Sequence, residues 1–226
     1  MSELDQRTVM RGLLEANYRN LPYRFPPGHL FAPLMMGAAM DGCVMSELKM
    51  PSADLRFCSL TEATLTEVDL SSARAQEIGL SRSRLDKVSM ARSFFSRAVI
   101  RKTHFQQCCL DRCFLDKVEG RGARFTRCTG SRTVFDESDL TGSHFCESEF
   151  QGSSFTEADL TNARFERCRF VEVDFFSAVM WRTEFCDCRF VDCNFSGVHA
   201  RELHFYQCDP DELNLSPLLL SNCRFS

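Results

Sequence analysis

This sequence lacks the features that mark secreted, membrane-spanning and nucleic-acid-binding proteins. Its 226 residues carry a net charge of −4, so it has no basic excess of the kind that non-specific nucleic-acid binding needs. The longest apolar stretches, such as residues 34–40, are far too short to span a bilayer. The N-terminal residues MSELDQRTVMRG carry acids where a signal peptide has Lys or Arg. We therefore expect no membrane span, no direct nucleic-acid contact and a cytoplasmic location, with export by a specialised secretion system left open.

Motifs that carry chemistry are lacking as well. The chain has no Gly-rich phosphate loop, no HExxH and no nucleophile elbow. The sequence therefore predicts a protein that is not an enzyme and that binds no cofactor. Tryptophan occurs once and tyrosine three times, whereas phenylalanine occurs 21 times. This imbalance needs an explanation, and the periodicity of the chain supplies it.

A five-residue period organises the chain from Met45 to Phe225. Almost every residue whose number divides by five is large and apolar, and fifteen of the 21 phenylalanines lie there. The residue two places earlier is small, and the residue between the two is usually polar, as in Ala158-Asp159-Leu160. Such inward–outward–inward alternation is typical of a three-residue strand, and the other two residues of each quintet must turn the chain.

These quintets resemble the pentapeptide-repeat family, whose consensus is roughly A-(D/N)-L/F-x-x, over residues 43–226. The resemblance implies an all-β fold, a right-handed quadrilateral parallel β-helix with four quintets per coil and about nine coils. Residues 1–40 fall outside the pattern and are expected to form a short helical or irregular N-terminal cap. The predicted domains are therefore a cap segment, 1–40, and a β-helix, 41–226.

The cysteines follow the same period. Ten of the 13 lie at the small inward position. Free cysteine packs as a small apolar side chain, and parallel Cβ vectors one strand spacing apart suit disulfide geometry poorly. The odd number of cysteines also argues against a secreted disulfide framework. We therefore expect free thiols and no metal site.

Positions that break the repeat are where function is expected. Three successive outward positions on one face are apolar instead of polar: Phe94, Phe114 and Val134. A neighbouring corner carries one arginine per coil: Arg92, Arg112 and Arg132. Arginine beside exposed aromatic surface has the composition of a binding hot spot. These six residues are predicted to bind a protein partner.

Charge separates two parts of the chain. Residues 82–132 hold 13 basic and 4 acidic side chains, whereas residues 136–226 hold 17 acidic and 7 basic ones. The family resemblance implies one known role in which a member mimics duplex DNA, binds DNA gyrase or topoisomerase IV and protects against topoisomerase poisons. An acidic face of Glu119, Asp139 and Asp159 would serve that role.

The basic stretch counts against a DNA mimic, which should be negative along its length. The favoured function is therefore a non-enzymatic scaffold for protein–protein interaction, with an adaptor or effector in bacterial secretion as one form of it. Binding to a topoisomerase is the alternative.

The last coil predicts self-association. The register runs to Phe225, and the preceding residues are rich in leucine: Leu213, Leu215, Leu218, Leu219 and Leu220. An uncovered apolar end is a liability unless another chain covers it. The sequence therefore predicts a homodimer formed through this coil.

Overall fold

A computed structural model describes residues 4–19, 21–30, 34–213, 215 and 223–226 of the chain. The N-terminal helix, Gln6–Tyr18, begins after Asp5, whose side chain accepts hydrogen bonds from two backbone N–H groups of the first turn. Val9 and Leu13 point from this helix into the core. The predicted N-terminal cap is therefore a helix that lies on the first coil. No helix within the described residues is long and apolar enough to cross a membrane.

The rest of the described chain is a parallel β-solenoid with four sides. The first side is an eleven-stranded sheet, in the order Arg24–Phe25, Val44–Ser46, Thr64–Thr66, Arg84–Asp86, His104–Gln106, Arg124–Thr126, His144–Cys146, Arg164–Glu166, Glu184–Cys186, Leu203–Tyr206 and Cys223–Phe225. The second side has the strands Gly28–His29, Leu48–Lys49, Thr129–Ser131, Glu149–Gln151, Arg169–Val171 and Arg189–Val191. The third side is joined by single parallel bridges from Leu34 to Asn194. The fourth side runs through bridges from Ala39 to the paired strands Val179–Trp181 and His199–Arg201, and a 3₁₀ helix, Pro210–Glu212, follows.

Each coil contains twenty residues, because each strand pairs with the strand twenty positions later, as in Phe105 with Phe125. The predicted four-sided parallel β-helix is confirmed, with about ten turns instead of nine. The additional turn arises because Arg24 and Phe25 already pair with Val44 and Met45.

The solenoid starts at Arg24, so the predicted boundary at residue 41 is too late. The four large apolar residues of residues 24–40 at positions divisible by five are all buried: Phe25, Leu30, Met35 and Met40. They extend the core by one coil, which leaves only the helix and its connection as the cap.

The corners of the coil have a left-handed backbone conformation. From Glu47 to Gln207, non-glycine residues at positions ending in 2 or 7 have φ between 50° and 60°. This conformation costs an L-residue roughly 1–2 kcal/mol, which the stacked ladder must offset. Arg92, Arg112 and Arg132 are three such corner residues.

The core combines stacked rings with short polar side chains. The rings of Phe125 and Phe145 stack 4.6 Å apart, at about the spacing of neighbouring strands. At the small inward position, most hydroxyl and thiol groups donate to a carbonyl of the preceding coil. The Thr103 hydroxyl lies 2.5 Å from the Leu80 carbonyl oxygen, and the Cys168 sulfur lies 3.4 Å from that of Phe145. The twelve cysteines from Cys43 to Cys208 are free thiols.

Candidate interaction surface

Phe94, Phe114 and Val134 lie one above the other on the third side of the solenoid, where parallel bridges join them. The rings of Phe94 and Phe114 stack with centroids 5.2 Å apart and planes 2° from parallel. These two side chains remain 41% and 40% exposed. Arg74 and Ser154 continue the column on either side. The three residues therefore form an apolar ridge that is three coils high.

The backbone hydrogen bonds between successive coils fix the side chains of the ridge in outward positions. The Phe95 N–H donates to the Phe114 carbonyl oxygen at 2.7 Å, and the side chains of Phe95 and Leu115 are buried. Because side chains alternate along a strand, Phe94 and Phe114 must face out.

The N-terminal helix does not cover the ridge. It is tied to the first coil by side-chain hydrogen bonds from Gln6 to the Leu34 carbonyl oxygen, 3.0 Å, and from Asn17 to that of Ala39, 2.8 Å. Leu34 lies three coils from Phe94 along the same column. The helix therefore leaves the ridge exposed.

Three arginines border the ridge at the adjacent corner. Arg92, Arg112 and Arg132 are exposed, and together with Phe94 and Phe114 they line a shallow groove. Within the part of the chain that the structure describes, no carboxylate lies within ion-pair distance of these guanidinium groups. The groove thus presents one uncompensated positive charge per coil beside an aromatic surface. We call the six residues the ridge–arginine surface.

The structure also brings together the three predicted acidic residues. Glu119, Asp139 and Asp159 are bridged in one column on the fourth side. Glu119 pairs with Arg101 and Asp139 pairs with Arg121, each at 2.5 Å. Burial raises the pKa of Asp139, but hydrogen bonds from Arg121 and from the following turn outweigh it and leave the pKa below its usual value. Two of the three carboxylates are therefore already paired within the chain.

Two of the leucines that were predicted to lie at an open end of the solenoid are buried. Leu213 and Leu215 are only 6% and 9% exposed and belong to the core cluster. The neighbouring 3₁₀ helix is fastened to the solenoid by Glu212, whose carboxylate accepts a hydrogen bond from the Phe190 N–H at 2.9 Å. The prediction that Leu213 and Leu215 are free for self-association is therefore wrong, because the chain itself covers them. Leu218, Leu219 and Leu220 lie outside the described residues, and the homodimer stays a prediction that light scattering tests.

The sequence analysis missed one cluster of donor atoms on the first side, opposite the ridge. His144, Cys146 and Glu166 bring one side-chain donor atom each within 4.8 Å of one another. The signal was an outward His-x-Cys followed twenty residues later by an outward glutamate. It becomes visible only when side chains of successive coils are placed together.

Two family models match the chain. The model described as "Pentapeptide repeat region" matches residues 98–175, and the model described as "Pentapeptide repeats (8 copies)" matches residues 38–74 and 168–202. Together these segments cover more than half of the sequence. No curated protein sequence matches the chain.

Several solved structures are similar in backbone, at low sequence identity. HetL from the cyanobacterium Nostoc sp. strain PCC 7120, involved in heterocyst differentiation regulation, is 12% identical over 84% of this chain and 94% of its own, with a TM-score of 0.44. A variant of QnrB1, a plasmid-mediated fluoroquinolone resistance protein, is 11% identical over 89% and 92%, with a TM-score of 0.49. A pentapeptide repeat protein of the Arabidopsis thaliana thylakoid lumen is 16% identical over 50% and 65%, with a TM-score of 0.31.

Proposed function

Because the chain belongs to the pentapeptide-repeat family, we propose that it is a non-enzymatic scaffold that binds a partner protein through its ridge–arginine surface. The observation that supports this proposal is the stacked pair of Phe94 and Phe114, which stays about two-fifths exposed at outward positions. Contiguous apolar surface of this kind is expected where another molecule covers it. An adaptor or effector in bacterial secretion is one form of such a scaffold.

The two phenylalanine rings of the ridge are each expected to contribute a modest binding free energy. Burying a whole phenylalanine side chain stabilises by roughly 1.5–3 kcal/mol, so covering the exposed part of each ring contributes on the order of 1 kcal/mol. The flanking guanidinium groups add charge-assisted hydrogen bonds, which are about twice as strong as neutral ones. Aromatic rings beside arginine are the usual composition of an interface centre.

The chemistry of the groove also indicates the kind of partner. Arg92, Arg112 and Arg132 have no carboxylate partner among the described residues, and residues 82–132 hold 13 basic against 4 acidic side chains. A complementary surface would place carboxylates along the arginine column and an apolar side chain over the ridge. We therefore expect a partner segment that is acidic and carries aromatic or aliphatic anchors.

The experiment that tests the proposal uses a photo-crosslinking amino acid placed next to the ridge, in cells of the source organism. The variants are Phe114→Asp and Arg112→Glu, and Phe176→Asp serves as the matched control because Phe176 is 43% exposed at a corner elsewhere. We expect one crosslinked partner that is lost in the first two variants and retained in the control. All variants should melt like the wild type. A crosslink that survives Phe114→Asp, or that Phe176→Asp removes equally, would contradict the proposal.

The acidic column supports a second candidate, a DNA mimic that binds DNA gyrase or topoisomerase IV. Its specific support is that Glu119, Asp139 and Asp159 stack on one side. The pairing of two of them with Arg101 and Arg121 weakens the negative surface. A gyrase supercoiling assay decides between the two functions. A DNA mimic would inhibit the gyrase or protect it from a topoisomerase poison. The double variant Asp139→Lys with Asp159→Lys would remove this effect, whereas Phe114→Asp would leave it unchanged.

A further inference from the structure

His144, Cys146 and Glu166 form a compact group of three different donor atoms. His144 and Cys146 flank the inward Phe145 on one strand, so both point outward, and Glu166 pairs with Cys146 in the next coil. The Glu166 Oε2 atom lies 3.3 Å from His144 Nε2 and 3.9 Å from Cys146 Sγ. A nitrogen, a sulfur and an oxygen thus converge on one point beside the strand.

These separations suit a tetrahedral metal ion. Zinc binds histidine nitrogen, carboxylate oxygen and cysteine sulfur at about 2.0–2.3 Å, which places neighbouring ligand atoms roughly 3.3–3.7 Å apart. The distances from Glu166 Oε2 to His144 Nε2 and to Cys146 Sγ are within a few tenths of an ångström of these values, and all three donor atoms lie within 4.8 Å of one another. The His144 Nε2 atom is buried, and the nearby carboxylate does not reach hydrogen-bond geometry with it. That nitrogen is therefore available as a ligand.

The residues around the group orient the ligands. Arg164 donates through Nε to Glu166 Oε1 at 2.6 Å, which leaves Oε2 facing His144 and Cys146. Such outer hydrogen bonds fix the ligands of metal sites. Arg167 donates to the Cys146 sulfur at 3.5 Å.

Both arginines beside the donor group have other carboxylate partners, which reduces their repulsion of a metal cation. Arg164 is also bound to Glu184 at 2.7 Å, and Arg167 is bound to Glu147 at 3.1 Å. Each guanidinium thus has a carboxylate partner besides Glu166, and Glu147 is shared with Arg127, which binds it at 2.7 Å.

We propose that His144, Cys146 and Glu166 bind a divalent transition-metal ion of the zinc class, with the fourth position open to water. Imidazole and thiolate ligands favour zinc, cobalt or nickel over magnesium or calcium. The expectation that the chain has no metal site came from its inward cysteines, whereas this thiol points outward. The site lies on the side opposite the ridge and is independent of partner binding there.

A neighbouring position supplies the matched control. Cys186 occupies the equivalent place two coils later, where it pairs with Glu166 of the preceding coil and with Tyr206, instead of a glutamate, in the next coil. Cys186→Ser should therefore leave the site intact, while Cys146→Ser, His144→Asn and Glu166→Gln each remove one ligand. All four positions face outward, so folding of each variant is checked by its melting temperature without metal.

The test is titration of the metal-free full-length protein with ZnCl₂ by calorimetry and with CoCl₂ by absorption spectroscopy. We expect one ion per chain, a cobalt spectrum of the tetrahedral type and a sulfur-to-cobalt charge-transfer band. Each ligand variant should weaken binding at least about tenfold, Cys146→Ser should also abolish the band, and Cys186→Ser and Phe114→Asp should behave like the wild type. No stoichiometric binding, a spectrum without the sulfur band, or a band that Cys186→Ser removes instead would overturn the proposal.

Discussion

At the scale of single residues, Gly130 shows how tightly successive coils interlock. It takes the place of a large inward residue, and it pairs in register with Phe150 of the next coil. A Cβ atom added there would lie 2.5 Å from the Thr133 hydroxyl oxygen and 2.8 Å from Phe150 Cδ1. The volume that a side chain would occupy is therefore already filled by neighbours.

Gly130→Ala should destabilise the protein by about 1–3 kcal/mol, because an overpacked core must shift its side chains. Gly79→Ala is the control, since the nearest atom to its added Cβ is 3.7 Å away, an ordinary contact. Urea unfolding followed by circular dichroism measures both. Equal urea midpoints for the two variants would show that the core can accommodate a side chain at position 130 with no loss of stability.

Buried thiols make stability depend on pH. Burial raises the pKa of Cys43 to about 12 and that of Cys58 to about 11, above the value near 8.5 of an exposed thiol. Above pH 8.5 these thiols ionise in the unfolded chain but stay protonated in the folded one, so rising pH favours unfolding. This contribution is absent below that pH and grows until the folded-state pKa is reached.

We therefore expect the free energy of unfolding to fall between pH 8 and about pH 10. Cys43→Ser should reduce the slope of this fall, since it removes one group that titrates differently in the two states. Urea titrations at a series of pH values, with a reductant present, provide the measurement. A slope that the substitution leaves unchanged would mean that other groups cause the effect.

At the scale of the elements, short inward hydroxyl groups connect one coil to the next. Thr103 donates to the Leu80 carbonyl oxygen at 2.5 Å, and Ser93 donates to that of Leu70 at 2.6 Å. Cysteines such as Cys168 make the weaker thiol version of this contact. The preference of this position for Ser, Thr and Cys thus reflects hydrogen bonding as well as small size.

Thr103→Val keeps the shape of the side chain but removes its donor. It should cost about 1–3 kcal/mol, because a buried carbonyl then loses one partner. Thr103→Ser keeps the hydroxyl and should cost less. Chemical denaturation of both variants tests this, and a valine variant as stable as the serine variant would refute the role of the hydrogen bond.

The sequence predicted the strands and corners well, because one apolar residue in every five leaves few other ways to bury the core. The start of the solenoid was missed although Phe25 and Leu30 keep the register, because the strands Arg24–Phe25 and Gly28–His29 are short and two prolines lie between them. The burial of Leu213 could not be predicted, since it depends on how the 3₁₀ helix folds back against the last coils.

At the scale of the whole molecule, the candidate surfaces were predictable only in part. The ridge was predictable from the five-residue period, because Phe94 and Phe114 fall at positions whose side chains point outward and are therefore exposed. The pairing of Arg121 with Asp139 did not, because it depends on side-chain conformations at neighbouring corners. The donor group at His144 was missed because its third member comes from the next coil.

The solenoid as a whole should respond to damage locally, because each coil contacts mainly the coils directly above and below it. Phe165 is fully buried, and its ring stacks 4.8 Å from Phe145 and 4.7 Å from Phe185. Phe165→Ala should cost roughly 3–5 kcal/mol, since it leaves a cavity in the middle of this stack. Phe176→Ala, at an exposed corner, should cost much less.

Hydrogen exchange followed by mass spectrometry shows where that energy is lost. In Phe165→Ala, amide protection should fall in the strands His144–Cys146, Arg164–Glu166 and Glu184–Cys186, because their stacked rings border the cavity. The strands Val44–Ser46 and Arg84–Asp86 lie several coils away and should keep the protection of the wild type. Equal loss of protection in all five strands would show instead that the solenoid opens as one cooperative unit, in which case stability would not be a sum over neighbouring coils.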